Sequence, residues 1–280
     1  MVGLAVVVIG LDLALRRKGI VIAVGLVGLL VPLVLAVNLW NDVHTFGVDS
    51  AFGGALIVDK FALYLKFLIM GVLALLFLAS AEYSSRFHPN QAEFFGLILF
   101  SASGMMLLPA AGDLITLYIS LELASLPVVA LAAFLKSQNS STEAAVKYLL
   151  LSAVSSAVLL YGFAFIYGAT GTVRLFPGEG MEPSIAQALS AGGDGPFGGA
   201  AVMAGAVLAT AGFGFKLSMV PFQMWTPDVY EGAPTPVAAF LSVASKAAGF
   251  AVILRVFSTA FGSLELDWAL LFAGIAAASM

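Results

Sequence analysis

Apolar stretches of about twenty residues, parted by short polar or glycine-rich breaks, repeat along almost the whole chain. A helix needs ~20 mainly apolar residues to cross a bilayer. That length divides the sequence into nine candidate spans, at 2–15, 19–40, 60–81, 93–110, 113–135, 144–167, 199–226, 235–261 and 266–280. The first is short for a crossing and the last is partial. Both ends read as cut, which points to a fragment of a longer protein. Between the second and third spans, NDVHTFGVDSAFGGALIVD is too polar and glycine-rich to span. It reads as a short hairpin over the surface. A longer loop with Arg174, Glu179, Glu182 and Asp194 separates the sixth and seventh spans. Trp40 and Trp225 read as anchors at the membrane–water boundary.

Composition points the same way. The chain is 61% hydrophobic and 10% charged, with mean hydropathy +1.05. A soluble domain averages about 45–50% apolar and about 25% charged. The fold class is therefore all-α, a polytopic transmembrane helix bundle. Net charge is −4, which by itself says nothing about nucleic acid, and no basic stripe supports such a partner. There are no cysteines, so thiolate-held Fe–S clusters, disulfides and thiol redox chemistry are excluded. His44 and His88 lie in polar connections and cannot form a haem pair on facing helices. The N-terminus is not a signal peptide, because Arg16, Arg17 and Lys18 follow its apolar run. Those three residues, with Arg86 and Lys136, fall in alternate connections. The opposite ones hold only Lys60, Arg174 and Arg255 near their ends. The positive-inside rule puts the richer set in the cytoplasm and the N-terminus outside.

A few charges interrupt the spans, and the seventh span is the most unusual. It runs from Gly199 to Thr226, longer than a straight crossing needs, and contains Gly212, Gly214, Lys216 and Pro221. A proline removes a backbone donor and crowds the carbonyl four residues back. The span therefore reads as two half-helices broken near Leu217 to Val220. Lys216 ends the first half, where the helix terminus favours a cation. Glu122 lies near the middle of the fifth span, with Tyr118 and Ser125 on the same face and Pro127 beyond. Lys246 lies near the middle of the eighth, between Ser242 and Gly249. Each central charge costs on the order of 2.5–3.5 kcal/mol, so Glu122, Lys216 and Lys246 together cost roughly 7–10 kcal/mol. Serine or asparagine would glue helices at less cost. Titratable groups at such positions fit proton transfer, although a neutral carboxyl serving as helix glue stays open for Glu122.

Other charges have simpler readings. Lys147 can snorkel to the surface or pair with Glu143 four residues earlier, while Ser155 and Ser156 extend polarity inward. Asp113 reads as a helix N-cap. Asp228 and Glu231 fall in the turn before the eighth span, and Arg255 can snorkel outward. AGFGF is no nucleotide fingerprint, because no βαβ context surrounds it.

FKLSMVPFQMWTPDVYEGAPTPVAAFLSVASKAAGF (Phe215 to Phe250) and GDLITLYISLELASLPVVAL (Gly112 to Leu131) resemble the antiporter-like, subunit-N family of proton-pumping NADH–quinone oxidoreductase, respiratory complex I. The resemblance runs from about Leu63 onward. It implies about fourteen helices in two inverted five-helix repeats, of which this chain holds the first. N-terminal helices and a surface loop would occupy 1–92, the proton-channel repeat 93–262, and the start of a truncated second repeat 263–280. By motif, Glu122 and Lys216 would form the ion pair of the first repeat. Lys147 would modulate it, and Lys246 would begin a central hydrophilic axis. No cofactor is implied in this chain; NAD, FMN, Fe–S clusters and quinone would belong to the complex. The partners would be other membrane-arm subunits and the lipid bilayer, in the cell inner (plasma) membrane. Gln223 stands where the family commonly has histidine. A cation/proton antiporter subunit or a structural membrane scaffold stay as alternatives.

Overall fold

The computed structural model describes residues 1–15, 20–46, 49–83, 90–177, 182–191, 198–262 and 265–280. Arg16, Arg17, Lys18, Arg86, His88, Glu179, Asp194 and the side chain of His44 lie outside the described residues. The elements are α1 (Val2–Leu15), α2 (Ile20–Gly28), α3 (Leu30–Phe46), β1 (Asp49–Ala51), β2 (Leu56–Val58), α4 (Lys60–Tyr83), α5 (Gln91–Leu107), α6 (Leu114–Ala132), α7 (Asn139–Thr170), α8 (Ile185–Ser190), α9 (Gly198–Leu217), α10 (Trp225–Gly232), α11 (Thr235–Phe240), α12 (Lys246–Ala260) and α13 (Glu265–Ser279). Among the described residues, seven helical stretches are long and apolar enough to cross a membrane. The protein is a multi-pass, all-α membrane bundle. The candidate spans at either end appear as shorter apolar helices, Val2–Leu11 and Trp268–Ser279. The sixth begins earlier than the apolar pattern suggests, at Asn139, because its first turn is polar helix.

Helix packing relies on small residues, as expected where lipid removes the hydrophobic drive between helices. A Cβ on Gly162 of α7 would meet the Gly205 carbonyl of α9 at 2.9 Å, and one on Gly205 would meet the Gly162 carbonyl at 2.8 Å. The two backbones thus approach as closely as glycine permits. Phe77, Phe94 and Phe95 form a buried aromatic stack joining α4 to α5.

The expected hairpin is present. Asp49 pairs with Val58 and Ala51 with Leu56, antiparallel. Its tip is bolted to two other connections through backbone bonds. The Gly112 amide donates to the Ala55 carbonyl at 2.8 Å, and the Leu175 amide donates to the Gly112 carbonyl at 2.9 Å. The Leu114 amide reaches Val173, and the Arg174 guanidinium reaches the Gly53 carbonyl at 3.1 Å. A Cβ on Gly112 would meet the Gly54 carbonyl at 2.0 Å, so this junction requires glycine. Three alternate connections therefore share one face of the bundle. Beside them Asp113 caps α6, accepting from the Thr116 amide at 2.7 Å, as its position predicts.

Candidate functional site

The α-helix carrying Lys216 stops one residue later, at Leu217. Ser218 follows at φ +58°, the peptide bond between Val220 and Pro221 is cis, and a short 3₁₀ turn spans Phe222–Met224. The last carbonyls of a helix need partners from elsewhere. Gly214 receives the Met219 amide, and Phe215 receives the Ser218 amide. The Trp225 indole also donates to Phe215, at 2.9 Å. The Lys216 carbonyl accepts from the Lys246 ammonium at 3.2 Å. The break is therefore satisfied inside the protein, as it must be within hydrocarbon.

This accounts for Trp225, which is no boundary anchor. It is 2% exposed, packs 5.1 Å from the Tyr148 ring and 5.2 Å from that of Phe215, and lies 4.9 Å beneath the Lys246 ammonium. Its N–H caps the broken helix, a use that an amphipathic side chain at that spacing does not reveal in sequence.

Lys216 is buried. Its ammonium donates to the Ser125 hydroxyl and, at 3.3 Å, to the Tyr148 hydroxyl. Ser125 in turn donates to the Leu121 carbonyl. Glu122 accepts from the Ser156 hydroxyl at 2.5 Å. The ion pair implied by the resemblance is thus not a direct contact. The closest side chains on Lys216 are hydroxyls, one of them a turn along α6 from Glu122. Tyr148 had no signal in the sequence beyond standing next to Lys147; its side chain simply points the other way from α7.

Lys246 joins this group. It donates to the Lys216 carbonyl and to Ser218, which also accepts from Thr226 at 2.6 Å. A five-residue π-helical turn, Leu241–Ser245, immediately precedes it. Such bulges recur at functional positions. Lys216 and Lys246 therefore meet at one helix end, and Glu122 lies one turn of α6 from the Ser125 hydroxyl that Lys216 contacts.

Lys147 stands apart. It lies 2.7 Å from both Glu143 and Asp228 with 41% of its side chain exposed. The helical pairing with Glu143 expected from spacing is present. Asp228 and Glu231 lie on α10, not in a turn. With Ser140, Glu143 and Lys147 they line a polar cavity of about 190 Å³. Gln223 is exposed.

Arg255 departs furthest from expectation. It does not snorkel: it is 5% exposed, paired through both terminal nitrogens with Asp59 at 2.5 and 2.8 Å. It also donates to the Pro109 carbonyl at 2.9 and 2.6 Å. The rings of Phe61 and Phe176 lie 4.9 and 5.3 Å from it. Burial pushes the Asp59 carboxyl up, but the Arg255 hydrogen bonds and the Ala62 amide outweigh it and hold the group below the usual carboxylate range.

Comparison with known proteins places this arrangement in context. The family described as NADH:quinone oxidoreductase/Mrp antiporter, TM, matches residues 111–280. NADH-quinone oxidoreductase subunit N of Desulforamulus reducens is 41% identical over 278 residues, 99% of this chain and 55% of that relative. A chain of respiratory complex I from Thermus thermophilus superposes with TM-score 0.63 at 33% identity, covering 90% of this chain and 51% of its own. A chain of the Mrp complex from Dietzia sp. shares the fold, with TM-score 0.68 at 23% identity over 93% of this chain and 48% of its own. The chain spans about half the length of the relatives it matches. On a family match across more than half its residues, the chain belongs to the NADH:quinone oxidoreductase/Mrp antiporter transmembrane family.

Proposed function

We propose that this chain is part of a membrane-arm subunit of a proton-translocating NADH–quinone oxidoreductase, seated in the plasma (inner) membrane with its N-terminus outside. Residues 93–262 form the proton-channel repeat, with the chain's seventh span discontinuous at 218–221, and 263–280 begin a second. Electrons pass from NADH through FMN and Fe–S clusters to quinone in partner subunits. This chain has no cysteine to hold such a cluster, and its task is to move protons.

The observation that carries this reading is the setting of Lys216: a buried ammonium at a helix break, with hydroxyls as its nearest side-chain partners. An ammonium against hydroxyls can release its proton without stranding a bare carboxylate beside it. Glu122 sets how firmly the proton is held. With its negative charge near, the ammonium form is favoured; with that charge moved away or neutralised, the low dielectric favours the amine. Lys246, whose ammonium donates to the Lys216 carbonyl, belongs to the same relay and begins the hydrophilic axis beyond it. Lys147 acts from the margin, through Asp228 on the helix that follows the break.

The test is Lys216→Ala in the assembled complex, read as NADH-driven proton uptake by inverted membrane vesicles. Pumping should be abolished while the complex still assembles. Unchanged pumping would overturn the proposal. Sodium-dependent pH changes without NADH would move the chain to the antiporter branch.

A further inference from the structure

Ser218 adopts a backbone conformation that side-chain-bearing residues rarely enter. It is one of two non-glycine residues with positive φ among the described residues, at +58°. It occupies the position after a helix end where glycine is the usual solution. A glycine would satisfy the backbone better, so the side chain is where a use should be sought. That side chain touches two groups: its oxygen accepts from the Lys246 ammonium and from the Thr226 hydroxyl. Thr226 is the second residue of α10 and is partly exposed. Ser218 is half-buried between them.

We infer that the Ser218 and Thr226 hydroxyls are a two-step proton wire that reloads Lys246. The inference rests on the relay reading above. When Lys246 is charged, Ser218 accepts from both neighbours, as seen here. When Lys246 has given up its proton, its amine is an acceptor. Ser218 then turns its O–H onto the amine while still accepting from Thr226. One concerted shift follows. The Ser218 proton bonds to the amine nitrogen, the Thr226 proton bonds to the Ser218 oxygen, and Thr226 is reprotonated by hydronium, which leaves as water. One proton is consumed and Lys246 is again an ammonium. The Lys216 carbonyl holds the lysine in reach throughout and cannot itself supply a proton.

The backbone provides a clean test. Ser218→Gly removes the hydroxyl while keeping a residue suited to φ +58°, so assembly should persist. NADH-driven pumping in inverted vesicles should fall by about tenfold or more. Ser218→Asn tolerates the same backbone and can hold the ammonium, but an amide passes protons poorly. It should be as slow as the glycine variant. Thr226→Val should also slow pumping, and Thr226→Ser should restore it. Normal pumping in Ser218→Gly, or recovery in Ser218→Asn, would overturn the wire. The first means that the hydroxyl is not needed; the second means that it only positions Lys246. If Lys216→Ala abolishes pumping while Ser218→Gly does not, the wire fails and the relay stands. If neither variant affects pumping, both fail.

Discussion

Lys216 and Arg255 are equally buried, each 5% exposed, yet the chemistry around them is opposite. Arg255 is gripped by a carboxylate through two hydrogen bonds, by the Pro109 carbonyl and by two aromatic rings. Each guanidinium nitrogen has a firm acceptor, and a guanidinium does not give up its proton in proteins. That end of the bundle is a fixed clamp tying α12 to the start of α4 and to the turn before α6. Lys216 has no carboxylate within ion-pair distance among the described residues. It rests on hydroxyls, which can donate as readily as accept. Under the proposed relay, burial alone therefore does not distinguish a structural charge from a proton-carrying one. What distinguishes them is whether the partners could tolerate loss of the proton.

The largest expected effect comes from breaking the clamp. Asp59→Ala leaves the Arg255 charge buried and unpaired, which should cost about 3–5 kcal/mol, measured by thermal or denaturant unfolding in detergent. The same pair carries a pH signature. The folded-state pKa of Asp59 is depressed. Its contribution is therefore present above the unfolded value of about 3.9 and lost as pH falls through the lower folded value. Acid unfolding below about pH 4 should lose this component in Asp59→Asn. Should that variant remain as acid-sensitive as the parent, the clamp is not what acid releases.

A change at Lys216 should have the opposite sign. Lys216→Met removes a buried charge without stranding an opposite one in contact with it. Stability should rise by about 0.5–2 kcal/mol while pumping is lost, the familiar trade between a strained site and activity. A loss of stability as large as that of Asp59→Ala would erase the contrast between the two cations.

The smallest effect belongs to Lys147, whose partners are direct but exposed. Surface pairs are weak and screened by salt. A double-mutant cycle of Lys147→Ala with Asp228→Asn should show a small coupling at low salt that vanishes near 1 M, where the screening length is about 3 Å. A coupling that survives would show the pair to be shielded, with a part in the relay more direct than that of a mouth residue.

The sequence revealed whatever depends on neighbours along one helix. Span length, the Asp113 cap, the Glu143–Lys147 pair and the hairpin all follow from local spacing. Pro221 after Lys216 also pointed to the stretch where the helix stops. Contacts between helices were hidden, because they depend on how each helix is rotated about its axis. Arg255 and Asp59 are 196 positions apart, and nothing local to Arg255 separates snorkelling from pairing. Asp59 did carry a signal: an aspartate just before a helix is a cap, and it does accept from the Ala62 amide. A capping carboxylate with a lone pair to spare is where a distant arginine is best sought. Tyr148 was obscured by its neighbour Lys147, since adjacent helical residues face different ways. The Lys216 side chain meets Ser125 rather than Glu122 because one turn of α6 separates them.

The Trp225 indole, itself 2% exposed, lies 4.9 Å below the Lys246 ammonium. A unit charge at that distance shifts the energies of the ring's electronic states, and the shift disappears when the amine is neutral. The protein thus contains its own optical gauge. With Trp40 and Trp268 replaced by phenylalanine, the colour of the Trp225 emission would follow the charge on Lys246, with no label attached.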